Sequence, residues 1–154
     1  MFRTMRSRVL LAGVLLVAAV SVVCLADAIL EVNVNINPHK IVLNAQGNAD
    51  DVQANVHIDL ASADITAFEA TLSFDGTEVA EAESAFYCLI DDILIIGFDR
   101  TSLQDNEDVQ DMANTTVEAT VNGSVTVINA YGDETTKIFS GSDWVEIVKP
   151  GKKK

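Results

Sequence analysis

Apolar and polar residues alternate with period two over much of the chain, the spacing that puts every second side chain of an extended strand on one side. From Ile29 to Ile36, Leu30, Val32, Val34 and Ile36 alternate with Glu31, Asn33 and Asn35, and Pro38 ends the run. A short apolar stretch from Ile41 to Leu43 follows, and Gln46-Gly47-Asn48 supplies a turn. Between Val52 and Leu60 the apolar set Val52, Ala54, Val56, Ile58 and Leu60 opposes Gln53, Asn55, His57 and Asp59. Ile65 to Phe74 reads as a strand, Asp75-Gly76 as a hairpin turn, and Thr77 to Ile90 as one long strand or two short ones. The Ala and Glu content of Val79 to Ala85 also permits a helical turn there. Ile93 to Phe98 is the most continuously apolar run after the N-terminal region, which predicts a central strand covered on both faces.

Arg100 to Met112 lacks strand character; it reads as a crossover in which Thr101-Ser102 caps a short helical turn. Thr115 to Val121 and Ser124 to Ala130 are β-branched runs flanking Asn122-Gly123, a pair that suits a type I′ hairpin. Thr135 to Phe139 and Trp144 to Val148 close the series, with Ser140-Gly141-Ser142-Asp143 as their connection. Eight or nine short strands predict an all-β fold, a two-sheet β-sandwich.

The first 28 residues have another character. Arg3, Arg6 and Arg8 precede an uncharged run from Val9 to Ala26, and Ala26-Asp27-Ala28 is a small-x-small cleavage pattern. Residues 1–28 therefore read as a secretory signal peptide, with an uncleaved anchor as the competing reading. Cleavage after Ala28 removes Cys24 and leaves Cys88 alone, within an apolar strand where a thiol usually serves as a small hydrophobe. The organisation is thus a signal peptide at 1–28, a β-sandwich domain at 29–148 and a basic disordered tail at 149–154.

Ten Lys and Arg against 23 Asp and Glu give a net charge of −13. Such a surface repels a phosphate backbone, so nucleic acid is not an expected partner. His39 and His57 are the only histidines, and no Cys or His stands at metal-ligand spacing, which argues against zinc sites and locally paired nucleophiles. Asp105, Glu107 and Asp108 offer oxygens to calcium, although without the alternation and glycine of a formed loop; a solvated acidic crossover competes with that reading. Trp144, Tyr131 and Tyr87 are candidates for a sugar-stacking platform, with core and rim packing as the alternative. Asn114-Thr115-Thr116 and Asn122-Gly123-Ser124 are glycosylation sequons.

The order of these features resembles a family of secreted β-sandwich modules of archaea and environmental bacteria, often found beside dockerin, polycystic-kidney-disease-like and thrombospondin-like calcium repeats. Val32 to Pro38 matches its opening Val-x-Val-x-Ile-x-Pro, and Leu43-Asn44 its short second strand. Asp92 to Arg100 follows, with one extra residue, its central pattern of Asp, aliphatics and Phe-Asp-Arg, and Gly141 to Val148 its closing Gly-Ser-Asp-x-Val-x-Ile-Val. The resemblance implies an Ig-like fold in an extracellular setting. Members commonly carry an Asp-x-Asp-x-Asp-Gly calcium loop before the central strand, where this chain has Ser84 to Ile90 and then Asp91-Asp92. Two adjacent carboxylates supply too few oxygens for calcium.

The functional expectation is a non-enzymatic secreted or cell-surface module with a structural or adhesive role. Its expected partners are cell-surface or extracellular matrix proteins or glycans, with membrane contact only through the signal segment. The alternatives are a glycan- or calcium-binding module, and a self-associating filament subunit that donates the strand Ile29 to Ile36 to a neighbour.

Overall fold

The computed structural model describes residues 28–43 and 51–151. The signal segment, apart from Ala28, the turn at Gln46-Gly47-Asn48, Asn44 and the last three lysines lie outside the described residues. The strands are β1 (Ile29–Glu31), β2 (Asn33–Asn37), β3 (Lys40–Val42), β4 (Val52–His57), β5 (Ile65–Phe74), β6 (Thr77–Cys88), β7 (Ile93–Phe98), β8 (Thr115–Ile128) and β9 (Glu134–Val148). Two short helices, α1 (Arg100–Asp105) and α2 (Glu107–Asp111), join β7 to β8. No helix among the described residues is long and apolar enough to cross a membrane.

The fold is all-β. The nine strands among the described residues form one sheet in the order β1-β9-β8-β5-β6-β7-β4-β2, with β3 also on β9. β1 and β2 are separated in the chain by Val32 alone yet stand at opposite ends of this order, so the sheet curls until its edges nearly meet. Two segments make the turn from one half of the sheet to the other. β6 pairs with β5 as far as Glu81 and with β7 from Ala82 to Cys88, with a register shift between Ala82 and Ser84. Residues 29–42 do the same at the opposite seam: β1 runs parallel to β9, β2 leaves to pair antiparallel with β4, and β3 returns to β9.

Close approach at that seam depends on Gly141 and Asp143. A Cβ on Gly141 would stand 2.5 Å from Val34 Cγ2 and would also collide with the carbonyl oxygen of Val32. The Asp143 carboxylate accepts from Ile36 N at 2.9 Å and from Trp144 N at 2.8 Å, and lies 3.3 Å from His39 Nδ1. The N-terminal segment is thereby bound into its own fold on both sides.

Alternation places the core inside the curl. Val34 and Ile36, then Val52, Ala54 and Val56, then Leu94, Ile96 and Phe98 are buried on neighbouring strands, facing Leu72, Phe74, Val121, Val145 and Ile147 from the other half. Leu103 and Val109 cover one end from the crossover. The expected helical cap shifts by two residues: Asp99, rather than Thr101 or Ser102, caps α1 by accepting from the N–H groups of both. The Ser102 hydroxyl and the Thr101 N–H hold the Asp99 carboxyl below the usual range. In the Phe-Asp-Arg pattern, Phe98 is therefore core, Asp99 a cap, and Arg100 a donor to Val42 O at 3.3 Å.

Several sequence expectations need correction. Asn122-Gly123 is no hairpin turn, because β8 runs unbroken through it. Gly123 lies between Ala70 and Phe139, where a Cβ would approach Phe139 Cζ to 2.7 Å and Ala70 Cβ to 2.9 Å. The true β8–β9 turn spans residues 129–133, with Gly132 at φ +86° and Asn129 Oδ1 accepting from Tyr131 N and Asp133 N. Ser140 to Asp143 is likewise continuous strand, and Val79 to Ala85 is strand and not helix. Asp75-Gly76 does form the expected hairpin, both residues having positive φ, 47° and 85°. β7 is central, between β4 and β6, but covered on one face only; Ile93 and Ile95 are half-buried on the other.

Candidate functional site: an uncharged sheet face

The outward side of β2, β4, β7 and β6 is set by the register of three antiparallel pairs. Asn33, His57, Ile93 and Cys88 form one row across it, Asn35, Asn55, Ile95 and Phe86 the next, and Asn37, Gln53, Gly97 and Ser84 the third. None of these twelve positions carries Asp, Glu, Lys or Arg, in a chain with 33 such residues, although exposed Glu83, the extra residue at the β6 register shift, stands beside Ser84 at the edge of the third row. The outward side of the other half differs. There Glu31, Glu69, Glu118 and Glu146 stand among serines and threonines.

Hydrogen-bonding groups occupy the β2–β4 side of the face and apolar groups the β7–β6 side. Phe86 is 65% exposed, and the adjoining turn carries Leu89 at 54% and Ile90 at 92%. Among the described residues, asparagines 106, 114, 122 and 129 all commit their side chains to hydrogen bonds. Asn33, Asn35, Asn37 and Asn55 make none, nor do Gln53 and His57. These six side chains are therefore available to a ligand. At the Asn37–Gln53 end the face borders a cleft of about 590 Å³ lined also by Pro38, Lys40, Asp51 and Arg100. Lys40 Nζ is 3.3 Å from a Glu146 oxygen.

The individual candidates fall elsewhere. Asp105 ends α1 while Glu107 and Asp108 open α2; all three are exposed, and Asn106 between them caps α2. Among the described residues no three His, Cys, Asp or Glu side chains are grouped so as to hold a metal ion. With acids so dispersed over an acidic surface, magnesium and calcium are expected to raise Tm equally at matched ionic strength. A gain confined to calcium in a thermal melt would show a specific site, for which Asp105, Glu107 and Asp108 are the candidates to substitute.

Trp144, Tyr131 and Tyr87 form no platform. Tyr131 lies in the β8–β9 turn, Trp144 is many residues further along β9 on the other half, and Tyr87 is buried. The parity of β6 explains this, since it turns Tyr87 inward and its neighbours Phe86 and Cys88 outward. Cys88 is accordingly half-exposed and places Sγ 3.5 Å from Asp91 Oδ2, instead of serving as a core hydrophobe. Asn114 and Asn122 are both exposed.

Tyr87 has a structural use. Its hydroxyl accepts from Leu60 N at 3.0 Å and donates to Asp92 Oδ1 at 3.0 Å, fixing the β4–β5 connection over one end of the curled sheet. Tyr87→Phe is expected to cost about 1–2 kcal/mol, since the N–H of the buried Leu60 loses its acceptor. Burial holds the Tyr87 phenol above its ordinary pKa; the Leu60 N–H opposes this and the Asp92 carboxylate adds to it. A folded pKa above the unfolded one gives stability that is full below about pH 10 and is lost as pH rises through the folded value. Thermal melts from neutral to alkaline pH check this, and Tyr87→Phe is expected to flatten the decline.

No family model, curated protein or solved structure matches the chain. The fold and the face are therefore what bear on its function.

Proposed function

We propose that this chain is a non-enzymatic secreted or cell-surface module with an adhesive or structural role, whose contact surface is the outward face of β2, β4, β7 and β6. In this reading the two halves of the curled sheet are the layers of an Ig-like sandwich, and residues 1–28 direct export. The observation that supports it best is the segregation of charge. A soluble acidic chain has no need to keep twelve adjoining outward positions uncharged, and an exposed apolar cluster beside unspent amides has the composition of a binding surface.

Retention on washed cell envelopes of the source organism tests the reading. Protein beginning at Ile29 is expected to sediment with the envelopes, and Ile95→Glu, which puts a charge into the middle row, is expected to remain in the supernatant. Thr120→Glu on the opposite half is the control and should sediment normally. Equal retention of both variants overturns the reading. N-terminal sequencing of exported protein is expected to start at Ile29, and full-length chain in the membrane fraction would establish the anchor instead.

A further inference from the structure

We infer that the uncharged face binds a neutral oligosaccharide, an inference that rests on the reading of this face as the contact surface. Size decides first between classes of ligand. Four strands spaced about 4.8 Å apart and five residues rising about 3.3 Å each give a face of roughly 350 Å² once side chains are included. A stable protein interface buries about 800 Å² of accessible surface per partner and would have to spread past this face onto its acidic rim. A second copy fits poorly for another reason: it brings a net charge of −13 against a rim on which Asp51 and Asp99 continue the outward sides of β4 and β7. A short run of sugar rings, by contrast, fits within the face along one or two of its rows.

The chemistry agrees with the size. A primary amide donates and accepts at once, as does each hydroxyl of a sugar, so Asn33, Asn35, Asn37, Gln53 and Asn55 offer paired contacts to vicinal hydroxyl groups. In the middle row Asn35 and Asn55 continue directly into Ile95 and Phe86. That sequence matches a pyranose, which has a hydroxylated edge and a face of C–H groups able to lie on an aromatic ring. The ligand is neutral because none of the twelve positions supplies a Lys or Arg to a uronate, sulfate or phosphate, while Asp51 and Asp99 at the rim repel anions.

Affinity electrophoresis of protein beginning at Ile29, through gels containing a soluble neutral glucan, mannan, galactan or xylan, tests the inference, with polygalacturonate as the anionic comparison. At least one neutral polysaccharide is expected to retard the protein, and polygalacturonate to leave it unretarded. Phe86→Ala and Asn55→Ala are each expected to weaken binding at least tenfold, with Thr120→Ala unchanged. Circular dichroism confirms folding, which the exposure of Phe86 favours. Binding that survives both substitutions, or retardation by polygalacturonate alone, overturns the inference. If no neutral polysaccharide retards the protein while Ile95→Glu still abolishes envelope retention, the face holds a protein and the sugar inference fails alone. If both assays are negative, both readings fail.

Discussion

Phe98→Ala is expected to lower stability by about 3–5 kcal/mol, the largest effect of any single truncation considered for this chain. Phe98 is fully buried at the end of β7, and its cross-strand neighbours are Val52 on β4 and Ala82 on β6. Ala82 sits where β6 changes partners, so neither neighbour has the volume to fill the space a missing ring leaves. Asp99 and the α1 helix begin immediately after it, which anchors the backbone against collapse into the cavity. Chemical denaturation should show a lower midpoint with an unchanged slope. A cost below about 1 kcal/mol would mean that the crossover repacks.

Gly141→Ala is expected to cost about 2–3 kcal/mol, and Gly97→Ala much less. Both glycines lie in strands and both lack room for a Cβ, but the obstructing atoms differ. At Gly141 they include the backbone carbonyl of Val32 and the methyl of Val34, fixed by the crossing of residues 29–42 over β9. At Gly97 the obstruction is the Ser84 hydroxyl, the end of a side chain that can rotate away. Equal losses at the two sites would show that the seam yields as readily as a serine rotamer.

Gly141 also exemplifies what the sequence conceals. Alternation located most core strands, because burial on one side of a sheet imposes period two on the residues themselves: Val34, Ile36, Val52, Ala54 and Val56 are buried, although Leu30 of the same series is exposed and the run from Ile29 to Ile36 divides into β1 and β2. Glycine carries no such unambiguous message. It permits positive φ in a turn and close approach in a strand, and Asp75-Gly76 exemplifies the first while Gly123 and Gly141 exemplify the second. Reading Gly123 and Gly141 as turns divided β8 and β9, and hid the fact that these are the longest strands among the described residues.

The candidate face was half visible. Asn33, Asn35, Gln53, Asn55 and His57 stand out as the polar side of their strands, yet only the β2–β4 register makes them neighbours. Phe86 gave the opposite impression, since an apolar run around Tyr87 and Cys88 does not reveal which residue of the pair points inward. Strand pairing over long sequence separations, which a single sequence leaves open, is what brings Asn35 beside Asn55, Ile95 and Phe86.

The parallel pairing of the N-terminal segment with β9 has a mechanical consequence. Ile29 lies beside Ile138, whereas Val148 stands ten residues further along the same strand, so tension between these two points pulls along the strand axis in opposite directions. The hydrogen bonds of β1 and β3 to β9 are then loaded together in shear and cannot be unzipped one after another. The same pull draws the strap formed by residues 29–42 along β9, against the grip of Asp143 on the backbone of Ile36. A module tethered through its two ends would thus carry force through the very seam that closes its sheet.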